Sequence, residues 1–188
     1  IFSGCHRVVS GACLFCSLKS NNMTFTASLL KEMENEARTT RKILERVPDG
    51  NYDWKPHEKS MSIRQLATHV AEITGWIPMI LNTVEIDFAN MEYKPAAINN
   101  QQELIAHFEK SLADGLAALS AVTDDKLINE TWTMRSGDII HSADSKLENV
   151  RHCFCQIVHH RAQLGVFLRL LNIPLPGSYG PSADDTSF

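Results

Sequence analysis

What this chain of 188 residues lacks removes several classes of function. It has no basic excess: 18 Lys and Arg stand against 22 Asp and Glu, for a formal charge of −4. General nucleic-acid binders usually carry such an excess, because phosphate neutralisation supplies most of their affinity. Nucleic acid is therefore not an expected partner. No uninterrupted apolar run approaches 18 residues, so neither a transmembrane helix nor a membrane partner is expected. Cysteine is scarce after the first 22 residues, where only Cys153 and Cys155 occur. On a helix these two would point about 200° apart, which argues against a shared disulfide and fits a reducing, cytoplasmic setting. What is present is ordinary for a globular domain: 44% hydrophobic, 21% charged and 7% aromatic residues. At this length a core can form without disulfides or a structural metal.

Residues 1–22 read differently from the rest. They hold Cys5, Cys13 and Cys16 and no carboxylate, and the first methionine is Met23. Arg7 and the apolar run after it faintly resemble a signal peptide, but Ser10 and Gly11 interrupt the run. We expect a leader or mis-set start over 1–22 and one domain over 23–188. Without Arg7 and Lys19 that body has 16 basic and 22 acidic residues, a charge of −6.

Four helical patterns organise the body. Leu30, Met33, Ala37, Thr40, Leu44 and Val47 recur at helical spacing, and Pro48-Asp49-Gly50-Asn51 stops them. Ser62 and Gln65 form a capping box ahead of Ile63, Leu66, Val70, Ile73, Ile77 and Ile80, with a kink or early stop expected at Pro78. Asn100 and Glu103 open a third helix with the face Leu104, Phe108, Leu112, Gly115, Leu119 and Val122. Ser145 and Glu148 cap the fourth, which continues through Phe154, Ile157, Leu164 and Leu168 to about residue 172. Between the last two, residues 128–144 have no helical period, and Thr131–Met134 can form a short strand before a Ser136-Gly137 turn. Four amphipathic helices in one domain predict an all-α four-helix bundle with a loop-rich segment before its last helix.

The histidines are the informative polar residues. His69 sits beside the apolar stripe of the second helix. On the fourth, Gln156, His160 and Gln163 fall within about 60° of one another, with His152 adjacent. Ligands at such spacing on facing helices build metal sites in bundle cores. The same residues also suit hydrogen-bonded boundary positions, and His159 and His160 cannot both face inward. Arg161, the one charge on the apolar stripe, is expected to lay its stem over the core with its guanidinium at the rim. Cys153 and Cys155 read as a buried and a boundary thiol, and Trp54, Trp76 and Trp132 as core and rim packing, the first two able to wall a pocket.

The string His159-His160-Arg161-Ala162-Gln163-Leu164, continuing through Leu168-Arg169-Leu170-Leu171 to Tyr179-Gly180-Pro181-Ser182-Ala183-Asp184, resembles the DinB-like family. So do Asp53-Trp54-Lys55-Pro56, Ser60, Ser62-Ile63 and Leu66-Ala67-Thr68-His69-Val70. These are small bacterial proteins first named for damage inducibility. The resemblance implies an all-α bundle with an up-down-down-up type crossover, and a divalent metal held by three side chains. His69 and His160 match the first and third ligands. The second falls on Gln156, where the family usually has histidine; an amide oxygen is a poorer donor for zinc or nickel than imidazole. The resemblance also implies a thiol-dependent S-transferase acting on small electrophiles, with Arg161 a brace or anion contact. The alternative is a non-catalytic homodimeric stress or binding protein whose metal site has decayed. A homodimer is the expected assembly, and a small thiol or electrophile the expected partner.

Overall fold

The computed structural model describes residues 23–186, so the leader expected over residues 1–22 lies outside the described residues. Helix α1 (Phe25–Leu44) opens at Thr24, whose hydroxyl accepts the Ala27 N–H. Its core face runs Leu29, Met33, Ala37, Thr40 and Leu44; Leu29, rather than the expected Leu30, takes the first fully buried position. Val47 is buried by the turn beyond the helix, before Pro48.

The second helical pattern resolves into two helices. Helix α2 (Ile63–Glu72) begins with the expected capping box, in which Ser62 and Gln65 each accept the other's backbone N–H. A 3₁₀ turn over Ile73–Gly75 then leads into α3 (Trp76–Asn82). The break therefore precedes Pro78 instead of falling on it. Pro78 occupies the first turn of α3, where its missing N–H is among the donors without an intrahelical partner, so it disturbs nothing. At the turn, α4 approaches closely through Gly115: a Cβ there would stand 2.5 Å from both the Thr74 carbonyl oxygen and the Met33 methyl.

Helix α4 (Gln101–Ala121) carries the expected buried face of Leu104, Phe108, Leu112, Gly115 and Leu119 behind its Asn100 cap. A short helix, α5 (Asp124–Asn129), follows. Asp124 also reaches α1, accepting the Phe25 and Thr26 backbone N–H groups at 2.9 Å each.

The structure departs from an all-α fold in a three-stranded sheet, which makes the chain mostly helical with a small β layer. Strands β2 (Thr131–Ser136) and β3 (Ile139–Ser145) form an antiparallel hairpin around Gly137, whose φ of +57° suits glycine. Strand β1 (Glu85–Asp87) pairs parallel to β2 in the order β1-β2-β3. Three residues carry too little pattern to be read as a strand alone. Arg135 ties them to the hairpin, reaching Glu85 at 2.6 Å and Asp87 at 2.9 Å.

Helix α6 (Lys146–Leu170) starts at the expected Ser145–Glu148 capping box and ends at Asn172, which takes φ 58°. The Ile173 N–H then bonds the Leu168 carbonyl and the Asn172 N–H that of Arg169, a Schellman closure. At the other end, buried Lys146 gives its ammonium to the Leu81 and Thr83 carbonyls at the C-terminal end of α3. Contacts set the helix directions. Thr26 meets Val122 and Arg41 meets Glu109, so α1 and α4 are antiparallel. Glu36 and Thr40 meet Arg161, and Glu32 meets Arg151, so α1 and α6 run together. His69 meets His160 and Leu81 meets Lys146, so α2 and α3 oppose α6.

Candidate functional site: a histidine pair beside two apolar cavities

The end of α2 and the middle of α6 bring His69 and His160 together. Their ring centres lie 4.6 Å apart at 77°. His69 also stands edge-on to Trp76, at 5.3 Å. Each imidazole is oriented by a neighbour on its own helix at i+3. His69 Nδ1 lies 3.0 Å from Glu72 Oε1, and His160 Nδ1 lies 3.2 Å from Gln163 Oε1. Neither Nε2 has a hydrogen-bond partner among the described residues. Burial pushes the His160 pKa below its ordinary value; the Gln163 hydrogen bond opposes this, and the His69 and His159 rings add to it. The neutral form, which can donate a lone pair, is thereby favoured.

Glu72 is part of a second link. Tyr93 donates its hydroxyl to Glu72 Oε1 at 2.6 Å, drawing the segment after β1 over the site. Burial of the Tyr93 hydroxyl raises its pKa, and the hydrogen bond to Glu72 and that carboxylate's charge raise it further. Glu72 was legible at i+3 from His69, a spacing that puts two side chains on one helix face. Tyr93 carried no local signal.

Gln156 is placed differently. One turn from His160 on α6, its amide nitrogen contacts His152 Nε2 at 3.1 Å. It lines a chamber of about 330 Å³ with Trp76, Trp132 and Cys153. A cavity of about 380 Å³ on the other side is lined by His69, Glu72 and Met61. Trp76, Phe88, Met91 and Tyr93 border both. His159 is exposed, with its ring 4.8 Å from that of His160. Among the described residues no three His, Cys, Asp or Glu side chains are grouped to hold a metal ion. The donor set is two imidazoles plus, at most, an amide. What favours a metal is that each Nδ1 is anchored to an oxygen, the arrangement that orients metal-binding histidines, with neither Nε2 partnered among the described residues.

Arg161 lies deeper than the expected rim position and is 4% exposed. It forms a 2.7 Å ion pair with Glu36, bonds Thr40 Oγ1 at 3.0 Å, and donates to the Tyr179 hydroxyl at 2.7 Å. Tyr179 in turn donates to Glu36 at 2.7 Å. These contacts fasten the C-terminal segment to the helices, so Arg161 is a brace. Cys153 is buried, which pushes its thiol up to about 12, and Cys155 is exposed. Trp132 is in the core, while Trp54 packs edge-on against Phe167 and Trp76 walls both cavities.

The model of the DinB family matches residues 20–186. The chain belongs to the DinB family. Solved relatives share its fold at low identity. A DinB-like protein from Bacillus subtilis is 17% identical, with a TM-score of 0.63 over 80% of this chain and 96% of its own. Another, from Bacillus cereus, is 20% identical, with a TM-score of 0.62 over 82% and 97%. No curated protein matches the chain. No helix among the described residues is long and apolar enough to cross a membrane.

Proposed function

We propose that this DinB family member is a metal-dependent enzyme, a thiol-dependent S-transferase acting on small electrophiles, with His69 and His160 as ligands. The observation that carries the reading is the pair of anchored imidazoles with free Nε2 atoms beside apolar cavities. Gln156 would serve as a weak third ligand or hold a water. Zinc or nickel bound there would lower a thiol's pKa and seat its thiolate. The chain's own residues do the rest. Glu72 keeps His69 in the tautomer that presents Nε2, and Gln163 does the same for His160. Trp76, Phe88 and Tyr93 exclude water from the reacting pair, and the apolar walls favour a hydrophobic electrophile. The helices are read as a four-helix bundle of up-down-down-up sense, working as a cytoplasmic homodimer without nucleic acid.

A second reading is favoured by the contact between Gln156 and His152: a non-catalytic homodimeric stress or binding protein with a decayed metal site. Metal content of the full chain, purified without a metal-affinity tag and measured by mass spectrometry, separates the two. The enzyme reading expects near one equivalent, lost in the His69→Ala/His160→Ala double variant. Unchanged metal in that variant rejects these ligands. A natural chain without metal that gains it on Gln156→His supports decay.

A further inference from the structure

The chamber of about 330 Å³ behind Trp76 is at the lower end of ligand-pocket sizes, roughly 300–1,000 Å³. It is separate from the cavity that His69 lines. The sheet closes it through Ile86, Trp132 and Met134, and α3 contributes Met79 and Ile80. No Asp, Glu, Lys or Arg lines it, so a charged ligand would lose its hydration with no opposite charge to meet.

Helix α6 supplies Asn149, His152, Cys153 and Gln156, at i, i+3, i+4 and i+7, a single stripe. Asn149 is 4% exposed, and its amide nitrogen is engaged by the Ser145 and Asp144 carbonyls at 2.9 and 3.2 Å. Its Oδ1 accepts no hydrogen bond from a described residue. Gln156 repeats the arrangement: its nitrogen meets His152, and its Oε1 has no donor among the described residues. Two amide oxygens without donors among the described residues, in a chamber with no charged lining residue, call for a ligand that brings an O–H or N–H group.

We infer that this chamber is a binding site for a small, neutral, largely apolar molecule carrying a hydroxyl or N–H donor, such as a phenol or an aryl amine, which Asn149 and Gln156 orient. This binding site stands apart from the proposed S-transferase reading: in it Gln156 Oε1 serves the ligand, and His69 and His160 alone are left to that reading's metal.

The test uses the full chain labelled at its methionine methyl groups with ¹³C, free of metal, and titrated with 2-naphthol. Met79 and Met134 line this chamber alone, Met61 lines only the His69 cavity, Met91 borders both, and Met33 is in the core. The expected result is a saturable shift of Met79 and Met134, with Met61 and Met33 unmoved. Naphthalene, which lacks the donor, should bind about tenfold more weakly, as should 2-naphthoate, whose charge must be desolvated. Met134→Trp and Met79→Trp, each checked for native helix content, should fill the space and abolish the shift of the remaining methyl. Absence of a saturable shift overturns the inference, as does movement of Met61 without Met79 and Met134. Equal affinity for naphthalene overturns the role of the two amides. Metal content is measured separately on the natural chain, so absence of metal there rejects the enzyme reading alone, and absence of a saturable 2-naphthol shift rejects only the chamber.

Discussion

Replacing Arg161 with methionine should be among the most damaging single changes in the protein. The guanidinium is 4% exposed and serves three partners, Glu36, Thr40 and the Tyr179 hydroxyl. Methionine fills much of the same space, so the cavity contribution is small. The main cost is electrostatic: the Glu36 side chain, 11% exposed, loses its ion pair and is left with the Tyr179 hydroxyl and the longer-range attraction of Arg151. Breaking a buried pair by removing one partner costs about 3–5 kcal/mol, because a charge is left uncompensated. At about 2–4 °C per kcal/mol for a chain of this size, the melting temperature should fall by roughly 6–20 °C. Thermal melts followed by circular dichroism, with urea titration for the free energy, measure it. The double variant Glu36→Leu/Arg161→Met removes both charges and should be more stable than Arg161→Met alone. A loss below about 1 kcal/mol in Arg161→Met, or a double variant that loses the sum of both single changes, would refute the reasoning.

Three further outcomes follow from other parts of the fold. Gly115→Ala places a methyl group 2.5 Å from the fixed Thr74 carbonyl oxygen; overpacking costs about 1–3 kcal/mol, more than the roughly 1 kcal/mol gained in helix propensity, so thermal melts should show net destabilisation. In alkylation of the native protein mapped by peptide mass, exposed Cys155 should react and Cys153, its thiol held at about 12 by burial, should remain protected until the chain unfolds. The Asp124 carboxyl is held below its ordinary pKa first by the Thr26 backbone N–H, then by the Thr26 hydroxyl and the Phe25 N–H. Its contribution is therefore complete above the unfolded value near about 4 and is lost as pH falls through the lower folded value. The stability gap between the natural chain and Asp124→Asn should narrow along that descent, and a gap that widens on acidification would contradict the sign.

The amino-acid sequence by itself determined the parts of this protein that depend on neighbours a few residues apart. Ser62 with Gln65, Asn100 with Glu103 and Ser145 with Glu148 each begin a helix where expected. The buried faces of α4 and α6 follow their apolar spacing, and the Ser136-Gly137 turn closes the hairpin. These features rest on hydrogen bonds and side-chain rows of three to seven residues, whose geometry the helix itself fixes. Family membership was legible too, because its motifs are strings and spacings. Tertiary structure decided the rest. The break at Ile73–Gly75, ahead of Pro78, falls where Gly115 and Ser111 of α4 pack closely against Thr74 and Gly75. Strand β1 exists because β2 lies beside it and Arg135 holds it there. The meeting of His69 with His160, the closing of Tyr93 onto Glu72, the turning of Gln156 toward His152 and the burial of Arg161 against Glu36 join distant segments. Spacing selects which face a side chain occupies, but its partner depends on which helices pack together, in what direction and at what height, and those are set by the filling of the whole core.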